Sequence, residues 1–257
     1  MKSPLISIIT ITLNAETYLA QTIQSVLNQT YTNIEYIIID GGSTDNTLSI
    51  INKYKACFAH VVSEKDEGIA DAMNKGIALA TGDYLLFLHA DDYFMEHKSL
   101  AKALEFLDGN TDILACSIQF GKRNQIYKPR GFNFWTNFKQ GIWHQGSICR
   151  KSLIKDLNGF DKQFQIAMDF DFFLRAYRRQ ARVVKAPLIL SVMRDIGISS
   201  RQDWKSLKTR FDEERKVHIK NCRSSYMNML YKLYWFLYLP YRYVFHIMRE
   251  RNLGLSK

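Results

Sequence analysis

The chain has 257 residues, of which 47% are hydrophobic and 13% aromatic, and this composition suits a globular protein with a sizeable core and excludes a disordered one. Its four cysteines form no C-x-x-C pair, so the sequence predicts neither a disulfide framework nor a thiolate zinc site. A reducing cytoplasm fits this cysteine usage best.

Positive charge is concentrated towards the C-terminus. The formal net charge is +10, and residues 206–257 hold 11 Lys/Arg against 4 Asp/Glu. Excess Lys and Arg attract the phosphates of nucleic acid or of anionic lipid, and charge alone does not choose between these partners. The uneven distribution predicts that this segment has a different role from the rest of the chain.

The first 110 residues alternate between strand and helix patterns. The apolar run over residues 5–13 predicts a strand and not a signal peptide, because Ser7, Thr10 and Thr12 interrupt it. The patterns that follow predict helices over 16–28, 45–54 (capped by Asp45) and 69–80, and strands over 34–39, 58–63 and 83–88. This alternation indicates an α/β fold with a largely parallel, doubly wound sheet.

Polar segments follow three of these predicted strands, at residues 12–14, 40–42 and 89–92. Ligands of doubly wound sheets bind beyond the carboxyl ends of the strands. We therefore expect the three segments to converge on one rim. Further along, the patterns predict strands over 113–120 and 183–192 and a helix over 169–178.

Asp91 and Asp92 directly follow an apolar strand. Two adjacent carboxylates repel each other unless a cation offsets their charge. Mg²⁺ and Mn²⁺ prefer oxygen ligands and commonly keep substrate phosphates in their coordination shell. The pair therefore predicts a metal-diphosphate site, and the alternative is that Asp91 only caps the next helix.

Four segments resemble, in the same order, the motifs of family-2 glycosyltransferases with the GT-A fold: residues 4–14, 37–47, 63–92 and 160–175. The resemblance covers about the first 200 residues. It implies an inverting transferase with a GT-A nucleotide-binding sheet, flanking helices, a nucleotide-sugar donor (UDP expected) and Mn²⁺ or Mg²⁺. The expected acceptor is a saccharide or lipid-linked saccharide in cell-surface polysaccharide synthesis.

The resemblance also implies roles on the donor side of the site. Asp91 is the expected metal ligand, and Asp92 is expected to contact the ribose or to support Asp91. His89 stands where the family motif often begins with Asp or Asn. The nucleoside is expected to contact Thr12, Asn14, Glu16, Asp40 and Asp66. A turn role before two glycines is the alternative for Asp40, and the two roles are compatible.

Catalysis by inversion requires a general base for the acceptor hydroxyl. Asp169 is the candidate, in a segment that resembles the family's Glu-Asp-x-Asp motif with Met168 in the Glu position. Asp171 is expected to pair with Arg175 at i+4. His144 is expected to contact the leaving phosphate or the acceptor, with packing beside Trp143 as the alternative. Lys65 and Arg150 are further candidate phosphate contacts.

Residues 226–248 are rich in aromatic side chains, but Lys232, Pro240 and Arg242 interrupt them. A spanning helix needs about 20 predominantly apolar residues, so we expect a helix that lies in a membrane interface. Packing on the body or on another copy of the chain is the alternative. The predicted location is cytoplasmic, with peripheral contact to the inner face of the membrane.

The resulting domain prediction is a glycosyltransferase domain over 1–205, with a nucleotide-binding half (1–110) and an acceptor-binding half (111–205), followed by a basic, aromatic helical tail over 206–257. A nucleotidyltransferase is the competing function. It would carry a Gly-rich basic loop after the first strand, and residues 12–16 contain neither Gly nor Lys. A nucleic-acid-binding module would leave the acidic rim unexplained, so no nucleic acid partner is expected.

Overall fold

The computed structural model describes residues 3–121, 123–197 and 200–252. The chain divides into two compact units, Met1–Asp195 and Ile196–Lys257. The predicted boundary after residue 205 falls two residues into a helix of the second unit that begins at Trp204.

The described strands, all in the first unit, are β1 (Ile6–Thr12), β2 (Ile34–Asp40), β3 (His60–Ser63), β4 (Tyr84–Phe87), β5 (Tyr93–Phe94), β6 (Ile113–Phe120), β7 (Gln125–Tyr127), β8 (Ser147–Arg150) and β9 (Val183–Met193). Its described helices are α1 (Leu19–Leu27), α2 (Thr47–Lys53), α3 (Ile69–Leu79), α4 (Ser99–Leu104), α5 (Lys151–Asp156) and α6 (Met168–Arg178). The second unit contains α7 (Trp204–Lys220) and α8 (Ser225–Asn252).

The described strands form one mixed sheet in the order β3-β2-β1-β4-β8-β6-β9-β5, with β7 paired to β6. Strands β1 to β4 pair in parallel, as predicted. The prediction of a largely parallel sheet is wrong beyond β4, because β8 runs antiparallel to both β4 and β6. A four-residue strand carries no sequence signal for its direction.

The direction of β8 matters for the site. Strand β8 runs antiparallel to both β4 and β6, so β6 has the same direction as β4. Strand β9 is parallel to β6. Both β6 and β9 therefore end at the same rim as β1, β2 and β4. Since β8 runs the other way, the segment that precedes it also lies at this rim. That segment is the short 3₁₀ helix His144–Gly146.

The centre of the sheet is buried on both faces. All seven residues of β1 are buried, including the polar residues Ser7, Thr10 and Thr12. Helix α1 buries Leu19, Ile23 and Val26 at helical spacing. Helix α3 approaches β1 through Gly76, where an added Cβ would lie 2.4 Å from Cγ2 of Ile9.

The start of α1 differs from the prediction. The helix expected from residue 16 begins at Leu19, because Glu16 belongs to the preceding loop: its amide donates to Asp45 (3.2 Å) and its carboxylate accepts from the amide of Asn46 (3.0 Å). The N-cap of α2 is Asn46, so the prediction that Asp45 caps this helix is wrong by one residue. Asp45 lies just before the N-cap and accepts a hydrogen bond from the amide of Thr47 at 3.0 Å.

The second unit is a helical hairpin in which Leu207 and Phe211 of α7 pack against Trp235 of α8. The predicted tail helix over 226–248 lies within α8, which contains Pro240. In the part of the chain that the structure describes, no helix is long and apolar enough to cross a membrane.

Gly76→Val should lower the free energy of unfolding by about 1–3 kcal/mol, since the new side chain overpacks against the fully buried Ile9. Gly109→Val is the matched control, because nothing lies within 4 Å of a Cβ at that position. Urea denaturation of both variants measures the difference, and equal midpoints would show that α3 can move away from β1.

Candidate active site

The segment after β4 continues its pairing with β1 and then turns. The amide of Ala90 donates to the carbonyl of Ile11 at 3.2 Å, and the amide of Asp92 donates back to the carbonyl of His89 at 3.0 Å. The buried hydroxyl of Thr22 on α1 lies 2.8 Å from the carbonyl oxygen of Ala90 and 2.6 Å from that of Asp92. These contacts fix the turn that carries both carboxylates.

The two carboxylates of this turn are in an environment that disfavours their charge. Asp92 is only 1% exposed, and neither of its carboxylate oxygens makes a hydrogen bond of good geometry. Burial, and then the neighbouring charge of Asp91, raise the pKa of Asp92 well above its ordinary value. The side chain of Gln145 and the backbone of Arg194 approach it and partly lower its pKa. Burial also raises the pKa of Asp91. A cation that reached this turn would relieve both effects.

Arg194, which follows β9, contacts the same turn. Its guanidinium donates to the carbonyl of Asp91 and to the side chain of Gln21. The guanidinium carbon lies 4.3 Å from the ring centroid of Tyr18 and 4.7 Å from that of Tyr93. Burial raises the pKa of Asp91, and two smaller effects oppose this rise: a backbone hydrogen bond and then the positive charge of Arg194. The sequence reasoning missed this residue, although its position directly after a strand that ends at the rim was a usable signal.

Two histidines and an aspartate lie beside the turn. The rings of His89 and His144 have centroids 4.3 Å apart and are tilted by 34°. Nδ1 of His144 is hydrogen bonded to Asp169, whose same oxygen also accepts from the side chain of Gln140 at 3.3 Å. Burial, and then the charge of His144, lower the pKa of His89 well below its ordinary value, so this ring is neutral near pH 7.

Asp40 is fully buried at the end of β2, and its carboxylate is used by its own loop. It accepts from the amides of Gly42 (3.2 Å) and Ser43 (3.1 Å), from the hydroxyl of Ser43 and from the hydroxyl of Ser63 (2.7 Å). The turn role that the sequence left open is therefore present. A direct contact between Asp40 and the nucleoside stays a prediction.

Asp66 approaches the same loop from the segment after β3. One of its carboxylate oxygens would lie 2.4 Å from a Cβ built on Gly41, so a side chain at this position would displace the carboxylate. Its other oxygen accepts from the amide of Gly68 at 3.0 Å. The structure thus brings the predicted nucleoside residues Asp40 and Asp66 together around Gly41.

The remaining predicted nucleoside residues lie at the end of β1. Thr12 pairs in register with Asp40, and its buried hydroxyl has no hydrogen-bond partner. Asn14 has a positive φ of 48° and accepts from the amide of Thr44 at 2.9 Å. Glu16 is exposed and, as described above, bonds to the loop before α2. All three therefore border the loop that follows β2.

In the described part of the first unit, buried polar atoms without hydrogen bonds are concentrated at this rim. They include atoms of Thr12, His89, Asp92, His144 and Asp169. A buried polar atom without a partner costs about 1–3 kcal/mol, and native proteins keep few of them. Their clustering indicates a site built for a polar ligand.

The structure also tests the secondary expectations. The pairing of Asp171 with Arg175 is confirmed at 2.7 Å. Arg150 as a phosphate contact is wrong, because it lies opposite Tyr84 at the start of β4, at the other end of the sheet. Its guanidinium donates instead to the carbonyls of Thr111 and Gly109. Lys65 is exposed, and its contact with phosphate stays a prediction.

Among the described residues there is no group of three or more His, Cys, Asp or Glu side chains that could hold a metal by itself. The pair Asp91 and Asp92 nevertheless fits a Mg²⁺ or Mn²⁺ ion that receives its remaining ligands from a diphosphate and water. The observation that supports the fit is the buried carboxylate of Asp92, which makes no hydrogen bond of good geometry.

Comparison with known proteins decides the family. Residues 7–182 match the family model of Glycosyl transferase family 2. The chain belongs to this family. A PGL/p-HBAD biosynthesis glycosyltransferase of Mycobacterium bovis is 32% identical to this family-2 glycosyltransferase over 195 residues, 72% of this chain and 74% of the relative. An uncharacterized glycosyltransferase of Mycobacterium tuberculosis is 38% identical over 182 residues, covering 68% and 69%.

Two solved structures share the fold of this family-2 glycosyltransferase. S. aureus TarS (residues 1–349, in complex with UDP-GlcNAc) has a TM-score of 0.67 at 21% identity, covering 86% of this chain and 68% of TarS. A mannosyltransferase from Pyrobaculum calidifontis, in complex with GDP-Man and Mn²⁺, has a TM-score of 0.71 at 18% identity, covering 100% and 77%.

These comparisons confirm three expectations: the family, the GT-A type α/β fold and an enzyme that is a glycosyltransferase. The competing nucleotidyltransferase is excluded by the family match. The individual site residues are not tested by the comparisons, so their roles in this family-2 glycosyltransferase stay predictions.

Asp92→Asn should stabilise the metal-free enzyme by about 1–3 kcal/mol at pH 8, because it removes the charge of a carboxylate that burial and the neighbouring Asp91 disfavour. A carboxyl whose pKa is raised by folding destabilises the protein more as the pH rises through that pKa. The gain should therefore shrink as the pH is lowered towards 5. Thermal denaturation in EDTA across this pH range measures it, and a destabilised variant would contradict this electrostatic environment.

Proposed function

We propose that this glycosyltransferase moves a sugar, with inversion, from a nucleotide diphosphate-sugar, most simply a UDP-sugar, to a saccharide or lipid-linked saccharide of the cell surface. The observation that carries the proposal is the cluster of buried polar atoms without hydrogen bonds around Asp92, beside the loops at the ends of β1 and β2. A nucleotide-sugar and a metal ion together would supply partners for carboxylate, hydroxyl and imidazole groups alike.

Asp91 and Asp92 would hold Mn²⁺ or Mg²⁺ together with the diphosphate. When bound, such an ion offsets the negative charge that develops on the departing diphosphate. The chain itself keeps the pair in place, since Thr22 bonds the carbonyls of the turn and Arg194 bonds the carbonyl of Asp91. The TarS and mannosyltransferase structures contain UDP-GlcNAc, and GDP-Man with Mn²⁺, which supports this class of donor.

Asp169 would act as the general base. One carboxylate oxygen is held by His144 and Gln140, while the other is buried and has no hydrogen-bond partner. The first oxygen fixes the orientation of the carboxylate, and the second is available to accept the proton of the acceptor hydroxyl. Asp169 also lies in the first turn of α6, which places it on a regular element of the fold.

His144 has one ring nitrogen bonded to Asp169 and one buried nitrogen, Nε2, without a hydrogen bond. In the neutral ring, a proton on Nδ1 leaves Nε2 as an acceptor. Nε2 can then accept a hydrogen bond from a hydroxyl group of the acceptor or of the donor sugar. Donation to the leaving phosphate, the other expected role, requires the imidazolium form.

The acceptor belongs to cell-surface glycan synthesis in this proposal. The support is the relative whose name assigns it to PGL/p-HBAD biosynthesis, in which sugars are added by a glycosyltransferase. The site itself supports only a hydroxyl nucleophile near Asp169.

The second unit would contact the membrane surface. Seven apolar or aromatic side chains recur every three or four residues along α8 and are each at least half exposed: Tyr226, Met229, Leu233, Leu237, Tyr241, Val244 and Met248. We call these the outer stripe. A helix with such a stripe and nearby Lys and Arg residues is typical of interfacial binding. Contact with another copy of the chain is the alternative.

Asp91→Ala should abolish the Mn²⁺-dependent part of UDP binding, because the diphosphate then loses the ion that links it to the rim. Asp156→Ala, an exposed carboxylate on α5, is the matched control and should bind UDP like the wild type. Isothermal titration of UDP with Mn²⁺ and with EDTA measures the effect. Unchanged Mn²⁺-dependent binding to Asp91→Ala would remove Asp91 as a ligand.

Asp169→Asn should retain donor binding and lose sugar transfer by about 10²–10⁴-fold, the usual contribution of a general base. The amide keeps the shape of the carboxylate but accepts no proton at neutral pH. Turnover and UDP-sugar affinity are measured on the same preparation. Near-normal turnover would assign the base to another residue, whereas lost donor binding would indicate a structural defect.

Leu237→Glu should weaken binding to vesicles that contain anionic lipid, because it places a charge in the middle of the outer stripe. Thr209→Glu adds the same charge at an exposed position of α7 and serves as the control. Co-sedimentation with vesicles measures binding. If both variants bind like the wild type but Leu237→Glu disrupts a dimer in sedimentation velocity, the stripe is an interface between copies.

A further inference from the structure

A groove in the second unit is used by none of the roles proposed above. It lies between α7 and α8 and has a volume of about 650 Å³. Sites for small molecules commonly have volumes of about 300–1,000 Å³. The groove is therefore large enough for a ligand, and its lining indicates which kind.

The floor of the groove is aromatic. His218, Tyr231 and Trp235 are buried there, with the His218 and Tyr231 rings stacked at 4.3 Å. The indole N–H of Trp235 donates to Nδ1 of His218 at 2.8 Å. Because this is the only donor of the indole, Trp235 offers the groove an apolar face.

The walls continue this apolar surface with Ile219, Phe236 and Leu239. Ile219 is 63% exposed and Phe236 is 76% exposed, which is unfavourable for side chains of this size in water. An aliphatic chain in the groove would cover both. The lining therefore favours hydrocarbon over a polar ligand.

Two cations stand at the groove, Arg215 on α7 and Lys232 on α8. Both are exposed, and neither forms an ion pair with the residues that the structure describes. By contrast, Arg210 on α7 lies 3.7 Å from Glu214. Unpaired cations beside an apolar groove fit a ligand with one hydrocarbon chain and an anionic head.

The groove runs beside the outer stripe. Lys232, Phe236 and Pro240 line it at four-residue spacing, and each directly precedes a stripe residue in the sequence. Neighbouring residues of a helix point about 100° apart, so the two surfaces adjoin along α8. A lipid could thus enter from the surface that the stripe contacts; this step alone rests on the membrane contact proposed above.

We propose that this groove binds one acyl chain of an anionic phospholipid, with the phosphate on Arg215 and Lys232. The site is discrete and binds one lipid per chain. It differs from the outer stripe, which would contact the lipid surface without selecting a single molecule.

The test uses the full chain and soluble probes, so that it does not depend on vesicle binding or on sugar transfer. Isothermal titration compares dodecyl phosphate below its critical micelle concentration with dodecyl maltoside, which has the same chain without the charge, and with inorganic phosphate. We expect dodecyl phosphate to bind with one-to-one stoichiometry and more tightly than either control compound.

Arg215→Ala/Lys232→Ala should weaken dodecyl phosphate binding at least about tenfold, because it removes both charge-assisted contacts. Lys208→Ala/Lys216→Ala removes the same charge from exposed positions of α7 outside the groove and should leave binding unchanged. Ile219→Asp should abolish dodecyl phosphate binding, because it places a charge on the apolar wall of the groove. Ile219 is exposed, so the variant should fold, and an unchanged melting temperature would show that it does.

Three results would overturn the proposal: no binding of dodecyl phosphate, equal affinity for inorganic phosphate, or equal affinity in both double variants. A fourth concerns a second copy of the chain. If the wild type is a dimer that Ile219→Asp converts to a monomer, and neither binds dodecyl phosphate, the groove is a protein interface. Sugar transfer to a soluble acceptor should be unchanged in every variant. A failure of the lipid-groove proposal can therefore be distinguished from a failure of the proposed transferase function.

Discussion

The central constraint in this enzyme is the carboxyl group of Asp92, which is buried beside Asp91 and makes no hydrogen bond of good geometry. A protein that only needed a stable turn would not keep two carboxylates there, because burial and mutual repulsion both oppose their charge. The surrounding structure instead holds them in place through Thr22 and Arg194. The buried carboxylates lower the stability of the metal-free fold, and a cation bound with a diphosphate would offset this cost.

Much of the fold could be predicted because its signals are local. The buried strands β1, β2 and β6 read as apolar runs, and α3 and α6 were predicted to within two residues. Strand direction beyond β4 could not be predicted, since it depends on pairing between segments far apart in the sequence. That pairing also decides the site: it carries His144 to the rim and Arg150 away from it.

In the candidate site too, the identity of the residues could be predicted from the sequence, but their contacts could not. Residue types and the family resemblance were sufficient to select Asp91, Asp92, His144 and Asp169, which the structure places together or beside one another. They could not reveal how each lone pair is used. The carboxylate of Asp40 accepts hydrogen bonds from its own loop, whereas that of Asp92 makes none of good geometry. Only three-dimensional contacts distinguish these two acids.

The most direct test of the metal-diphosphate site is the anomalous scattering of manganese in a crystal of the full chain grown with UDP and MnCl₂. We predict a single strong peak in the first unit, bonded to a carboxylate oxygen of Asp91 or Asp92 and to the diphosphate. Bound UDP with no manganese at this turn, or with manganese held elsewhere, would contradict the proposed role of the carboxylate pair.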